Sequence, residues 1–198
     1  MSQEIEIEVK SKLTEDGFYL LLKTFSLDHS DSLTQHNHYF ETPAFDLKHA
    51  HSGLRIREID DDFTLTLKQP HEIGKLETHQ SLTKDEWDSA KQTGTLPDGN
   101  VKKQLRSLHI PINELSYVGT LTTERIEIAH NSGVLCFDKS MYFDQVDYEI
   151  EFEGTSEEHA HSTLASILSK ASIPYTETEN KVRRFFTRKI ALEQPKRP

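Results

Sequence analysis

The stretch EIEIEVK, residues 4–10, decides how the rest of the chain is read. Glu4, Glu6, Glu8 and Lys10 alternate without a break with Ile5, Ile7 and Val9, and a period of two belongs to a β-strand. One face of that strand is wholly ionic and the other wholly aliphatic. The same division recurs downstream. Arg55 and Arg57 share a face, with Leu54, Ile56 and Ile59 largely opposite. Thr64, Thr66 and Lys68 oppose Phe63, Leu65 and Leu67. Thr123, Arg125 and Glu127 oppose Ile126 and Ile128, while Asp138 and Cys136 oppose Leu135 and Phe137. Asp147, Glu149, Glu151 and Glu153 oppose Tyr148, Ile150 and Phe152. Glu149, Glu151 and Glu153 form a faint internal echo of Glu4, Glu6 and Glu8.

Between these strands the pattern predicts helices. Residues 14–25 carry Thr14 as N-cap and Phe18, Leu21, Leu22 and Phe25 on one stripe. Thr83 and Glu86 have the spacing of a capping box, with Trp87 and Ala90 on the apolar side. Further helices are predicted at 98–109, 156–171 and 178–190. The remaining strands are predicted at 36–41, 53–59, 63–69, 75–82, 118–130, 133–138 and 146–153. Residues 60–62 are read as a solvated hairpin tip, and residues 94–100, with Gly94, Pro97 and Gly99, as a turn. Seven or eight mostly antiparallel strands with several helices make an α+β class. No flexible segment divides them, which predicts one domain over residues 1–190 and a loose tail over 191–198.

The chain has 198 residues, enough for one substantial core. Lys and Arg number 23 against 33 Asp and Glu, a formal charge of −10. That balance opposes a general affinity for nucleic acid or anionic lipid, both of which require a basic face. No apolar run approaches a membrane span, and the acidic start MSQEIEIEV has no signal core. Cys136 is the single cysteine, which fits a reducing compartment and predicts a cytoplasmic protein.

Two arrangements satisfy such faces. An open sheet packs its apolar face on helices and wets its ionic face. Alternatively, eight strands close into a barrel with helices outside and the ions around a lumen. Uniform carboxylate strands beside guanidinium and ammonium strands speak for the second arrangement, because solvated faces usually mix their polar residues. A charged lumen must hold water, metal or ligand. Clustered carboxylates suit Mg²⁺ or Mn²⁺, and Arg and Lys suit phosphate oxygens. A lumen with both sets fits a polyphosphate complexed with divalent metal.

These residues resemble the CYTH superfamily, named for class IV adenylate cyclase and thiamine triphosphatase and also called triphosphate tunnel metalloenzymes. EIEVK, with Glu6, Glu8 and Lys10, looks like its ExExK signature. YFET (residues 39–42), with Glu41 in place of the usual Asp, resembles its Tyr-Phe-Asp-Thr. LRIR (54–57) and LTLK (65–68) are similar to its paired-Arg and Lys strands. Arg125, Asp138, DYEIEFE (147–153) and Lys181 follow in order, with Asn180 where Ser commonly precedes the lysine. The resemblance implies an eight-stranded antiparallel β-barrel, or tunnel, flanked by helices. It implies Glu6, Glu8, Asp138, Glu149 and Glu151 as metal-side carboxylates for Mg²⁺ or Mn²⁺. Lys10, Arg55, Arg57, Lys68, Arg125 and Lys181 are implied as phosphate ligands, and Glu6, Glu8 and Lys10 as catalytic. Glu77 and Glu127 either face inward or form rim ion pairs.

Hydrolysis of a triphosphate is the first expectation, whether inorganic triphosphate, a nucleoside triphosphate or thiamine triphosphate. Cyclisation of ATP to cyclic AMP and pyrophosphate is the second, and it needs an adenine site that the sequence does not reveal. Binding without catalysis is the third. The spacings of His36 with His38 and of His49 with His51 permit zinc, but no Cys or carboxylate cluster lies at matching spacing. His159 and His161 do not face each other on a helix. Cys136 is read as a buried, inert thiol and Trp87 as helix-packing core.

Overall fold

The structure, a computed structural model, describes residues 2–194. Alternation is converted into strands as expected: among the described residues nine run in this order, β1 (Ser2–Glu6), β2 (Glu8–Leu13), β3 (Leu33–Glu41), β4 (Gly53–Ile59), β5 (Asp62–Pro70), β6 (Lys75–Leu82), β7 (Ser116–His130), β8 (Gly133–Tyr142) and β9 (Gln145–Glu153). The helices are α1 (Glu15–Thr24), α2 (Asp46–His49), α3 (Lys84–Thr93), α4 (Asn100–Ser107), α5 (Glu157–Lys170) and α6 (Lys181–Glu193). The antiparallel α+β class is the observed one, with nine strands in place of eight. The extra strand comes from residues 4–10, which are not one strand. At Ile7 the chain leaves one ladder for another: β1 pairs with β6, and β2 pairs with β9.

Three hairpins close through two-residue loops. Asp60 and Asp61 take φ of 46° and 68°, and Asn131 and Ser132 take 45° and 60°. Positive φ at both positions matches the right-handed twist of the flanking strands, and Asp and Asn tolerate it. Asp62 belongs to β5 rather than to the tip. Phe143, at φ 51°, begins the third loop, between β8 and β9.

Two compact units emerge. The first takes the chain through Ile7 and then Thr34–Thr120; the second takes Glu8–Leu33 and everything from Leu121. In the first, β1-β6-β5-β4-β3 form a ladder, with the opening residues of β7 beside β3. Leu54, Ile56, Leu65 and Leu67 are buried on its apolar face against Trp87 and Ala90 of α3 and Val101 and Leu105 of α4. In the second, β7-β8-β9-β2 form the ladder. Ile126, Leu135, Phe137, Ile150 and Phe152 pack there on Phe18, Leu21 and Leu22 of α1 and on Ala160, Leu164, Ile167 and Leu168 of α5. Each unit therefore carries its grease on the helix side, and each leaves an ionic face opposite.

The caps follow the sequence closely. Thr14 accepts from Gly17, and Thr83 and Glu86 complete a reciprocal box. Gly94 ends α3 at φ 71°, where a Cβ would meet the Leu115 carbonyl oxygen at 1.8 Å. α4 is shorter than the expected 98–109. α6 starts at Lys181 rather than 178 and runs to Glu193, so residues 191–193 of the expected tail are helical. Residues 195–198 of that tail lie outside the described residues. Asn180 caps α6, its Oδ1 accepting from the Arg183 amide at 2.8 Å. Asn and Ser cap equally well, so Asn in place of the family's usual Ser leaves the helix start unharmed.

The short helix α2 was not legible in the sequence. It is held by buried Glu41, whose carboxylate accepts from the amides of Thr42 at 2.9 Å, Leu47 at 3.0 Å and Lys48 at 3.0 Å. Burial raises the Glu41 pKa, and these three N–H groups only partly offset it. Glu41→Ala leaves those donors without an acceptor and should cost about 2 kcal/mol in urea denaturation. Glu41→Gln, which keeps one acceptor oxygen, should cost less. Equal stability of all three proteins would contradict this role.

Candidate active site

The register of the second unit lines its ionic residues up in rows. Arg125 on β7 faces Asp138 on β8, which faces Glu149 on β9, which faces Lys12 on β2. The next row runs Glu127, Cys136, Glu151 and Lys10. Alternation puts both rows on the face away from α1 and α5. On an open, wetted sheet these side chains would be exposed. Instead Asp138 and Glu149 are 0% exposed and Glu151 is 3% exposed.

Cations compensate them. Arg125 grips Asp138 with a two-pronged fork, Nε to Oδ1 and Nη2 to Oδ2, both at 2.6 Å, and Nη2 reaches Glu151 Oε2 at 2.7 Å. Lys10 Nζ donates to Glu151 Oε1 at 2.8 Å and lies 2.9 Å from Glu8. Lys181, the first residue of α6, places its Nζ 2.6 Å from Asp138 Oδ2 and 2.8 Å from Glu151 Oε1, and it also donates to Glu149 Oε1. Arg184, one turn on, bonds Glu149 Oε2 and lies 3.1 Å from Asp147 Oδ2. Tyr142 donates to the same Asp147 oxygen at 2.6 Å, and Lys12 pairs with its other oxygen at 2.9 Å.

The protonation states follow from burial set against these charges. Burial alone would raise Asp138 and Glu151. Arg125 and Lys181 reverse it at Asp138, and Lys10, Lys181 and Arg125 carry Glu151 well below the ordinary carboxylate range. At Glu149 burial prevails despite Lys181, and the pKa is raised. Burial would lower Lys10, yet Glu151, Glu8 and Glu149 hold it well above the ordinary lysine value.

The first unit gathers the other expected residues. Glu77 on β6 faces Lys68 on β5 and Glu4 on β1. Lys68 bonds Glu6 and lies 3.2 Å from Glu77, with Arg55 3.9 Å from the same carboxylate. Arg57 donates to Asn37 Oδ1 at 3.2 Å. His79 Nε2 lies 3.1 Å from Glu4 Oε1 and 3.5 Å from Glu77 Oε2, while its Nδ1 meets Thr66 at 2.9 Å. Burial would raise Glu77, but Arg55, Lys68 and His79 lower it. Thus Glu6, Arg55, Arg57 and Lys68 belong to one unit, and Glu8, Lys10, Arg125, Asp138, Glu149, Glu151 and Lys181 to the other.

Among the residues singled out, Glu77 is buried in ion pairs, whereas Glu127 is exposed at the end of Arg125. Cys136 is buried and its thiol pKa strongly raised by burial, which removes nucleophilic character. His38 stacks on Trp87 at 4.2 Å and bonds Thr120 and Glu58, a packing role without metal geometry. Three participants were not assigned from sequence: Arg184, Asp147 and His79. The (i, i+3) spacing of Lys181 and Arg184 was visible, but its meaning depended on where α6 begins.

A divalent cation suits this chemistry. Single oxygens of Asp138, Glu149 and Glu151 all lie within 4.8 Å of one another, a hard, all-oxygen set of the kind Mg²⁺ and Mn²⁺ take. Glu4, Glu77 and His79 form the other such group among the described residues.

The CYTH domain profile matches residues 4–186. The chain belongs to the CYTH family. A Bacillus subtilis (strain 168) protein named "Putative triphosphatase YjbK" is 41% identical over 190 residues, spanning 96% of this chain and 98% of that protein. A solved Bacillus halodurans structure named as a "putative adenylate cyclase" is 49% identical with a TM-score of 0.90, covering 94% of this chain and 100% of the other. A Hippeastrum structure, 24% identical with a TM-score of 0.78 over 92% and 96% of the two chains, shares the fold. Among the described residues of this CYTH protein, no helix is long and apolar enough to cross a membrane.

The ionic cluster makes its own demand on stability. Arg125→Met strips Asp138 of its fork and Glu151 of one partner inside a buried site. Metal-free protein should lose about 3–5 kcal/mol by urea denaturation. Arg125→Lys, without the planar fork, should recover only part of it. An unchanged midpoint for Arg125→Met would show that Asp138 is not compensated as described.

Proposed function

We propose that this CYTH protein is a divalent-metal-dependent triphosphatase that releases the terminal phosphate of a triphosphate-bearing small molecule. The observation that carries the reading is the buried Asp138–Glu149–Glu151 cluster, compensated by Lys10, Arg125, Lys181 and Arg184 on a strand face turned away from the apolar core. Such a face suits a polyanion that arrives with cations. The 41% identical Bacillus subtilis relative, named "Putative triphosphatase YjbK", supports it.

In this reading Glu6, Glu8, Asp138, Glu149 and Glu151 hold Mg²⁺ or Mn²⁺. The bound ion supplies Lewis-acid neutralisation of phosphate oxygens and a lowered pKa for water. Lys10, Arg55, Arg57, Lys68, Arg125 and Lys181 hold the phosphates. Arg side chains grip two oxygens at once, and the ammonium groups act as point charges. Water attacks the terminal phosphorus, the bridging P–O bond breaks, and a cluster carboxylate takes the water's proton. Phosphoryl transfer asks a protein chiefly for positioning and electrostatic stabilisation, and these residues supply both. Glu6, Glu8 and Lys10, adjoining in sequence, are assigned the catalytic roles. The acidic composition and the single cysteine support a cytoplasmic protein without affinity for nucleic acid or anionic membrane.

The 49% identity to a Bacillus halodurans protein named as a "putative adenylate cyclase" favours a second reading, in which the same cluster directs a ribose hydroxyl at the α-phosphate. Hydrolysis stands first because it needs no base-recognition site. Purified protein with Mn²⁺ should release orthophosphate from inorganic triphosphate, ATP or thiamine triphosphate. Cyclic AMP and pyrophosphate from ATP would transfer the assignment to the second reading, and no product from any of them would refute both. Glu6→Gln should reduce turnover by about 100-fold or more with the circular dichroism spectrum unchanged. Full activity in that variant would remove Glu6 from the assignment.

A further inference from the structure

A side chain already stands against Asp138, Glu149 and Glu151 together. Lys181 Nζ donates to Glu149 Oε1 and, at 2.8 Å, to Glu151 Oε1, and it lies 2.6 Å from Asp138 Oδ2. One ammonium thus stands against an oxygen of each carboxylate in the acidic group. The residue's own helix does not favour that placement. Lys181 is the first residue of α6, behind the Asn180 cap, so its charge sits at the positive end of the helix dipole. The carboxylates alone hold it there.

We infer that Lys181 is a built-in competitor of the divalent cation, occupying the Asp138–Glu149–Glu151 triad in the metal-free protein and leaving it when metal enters. This deepens the triphosphatase reading and rests on it for the identity of the metal and the anion. Arg125 and Lys10 share Asp138 Oδ2 and Glu151 Oε1 with Lys181, and Arg184 takes the other oxygen of Glu149; these three stay where they are, whereas Lys181 alone reaches all three carboxylates. The entering ion brings one charge more than the ammonium it replaces, and the displaced ammonium remains attached to α6. Both changes call for an anion, and a triphosphate supplies it. Metal and triphosphate therefore each tighten the binding of the other through Lys181, in addition to their direct contact. The protein is kept folded and neutralised while empty, and metal retention is weak until substrate arrives.

The test reads metal binding rather than turnover. By calorimetry without substrate, Lys181→Met should bind Mn²⁺ roughly tenfold more tightly than the parent chain, because no ammonium has to be displaced. Unchanged or weaker binding overturns the inference. Should that variant not fold, the parent chain answers by itself. Lys181 is acetylated with a pulse of an N-hydroxysuccinimide ester and quantified by peptide mass spectrometry. Mn²⁺ should raise its labelling several-fold, and inorganic triphosphate added with Mn²⁺ should suppress it again. Labelling indifferent to Mn²⁺, or a metal-free chain that takes up no Mn²⁺, contradicts the proposal. Phosphate release from the same samples reports on the triphosphatase reading separately, so either can fail while the other stands.

Discussion

Three carboxylates with almost no exposure on one strand face are the constraint to which this structure answers. Ionised groups cannot be taken out of water without partners, and the cost of an unpaired one exceeds the margin by which a domain is folded. Asp138, Glu149 and Glu151 are therefore surrounded by Arg125, Lys10, Lys181 and Arg184, each at hydrogen-bond distance. The set is too exactingly arranged to be a wetted surface and too charged to be a core. A protein keeps such an arrangement when the ions have something to hold.

The division of labour follows from the period of two. On each ladder alternate residues feed a hydrophobic layer beneath two helices, and those between them feed the ionic face. α6 departs from that scheme. Its Phe185 is buried and stacks on Phe143 at 4.9 Å, while its first turn delivers Lys181 and Arg184 to the carboxylates. One helix thus serves electrostatics in its first turn and packing directly after it, and the Asn180 cap fixes where the helix begins.

Strand faces, hairpins, caps and the signature residues were legible in the sequence because each rests on local chemistry. The alternation of residues 4–10 could not disclose the break at Ile7, since the pattern runs through it unbroken and only the choice of partner strand changes. Helix α2 escaped because its support, the Glu41 carboxylate, precedes it and acts through backbone amides that carry no sequence signal. His79 reads as one polar residue in an unremarkable strand until the register sets Glu77 opposite Glu4. Arg184 and Asp147 come together only when the start of α6 is known. Cross-strand register and the placement of a terminal helix are long-range facts, and those were what remained hidden.

The central claim is that the buried acid cluster is the metal end of a polyphosphate site. Crystals soaked with Mn²⁺ and a non-hydrolysable imidotriphosphate test it directly through anomalous scattering at the manganese edge. The account predicts a peak within about 2.3 Å of oxygens from Asp138, Glu149 or Glu151, with phosphate density beside Arg125 and Lys10. A manganese peak remote from all three carboxylates, with their ion pairs to Lys10, Arg125 and Lys181 intact, would contradict it.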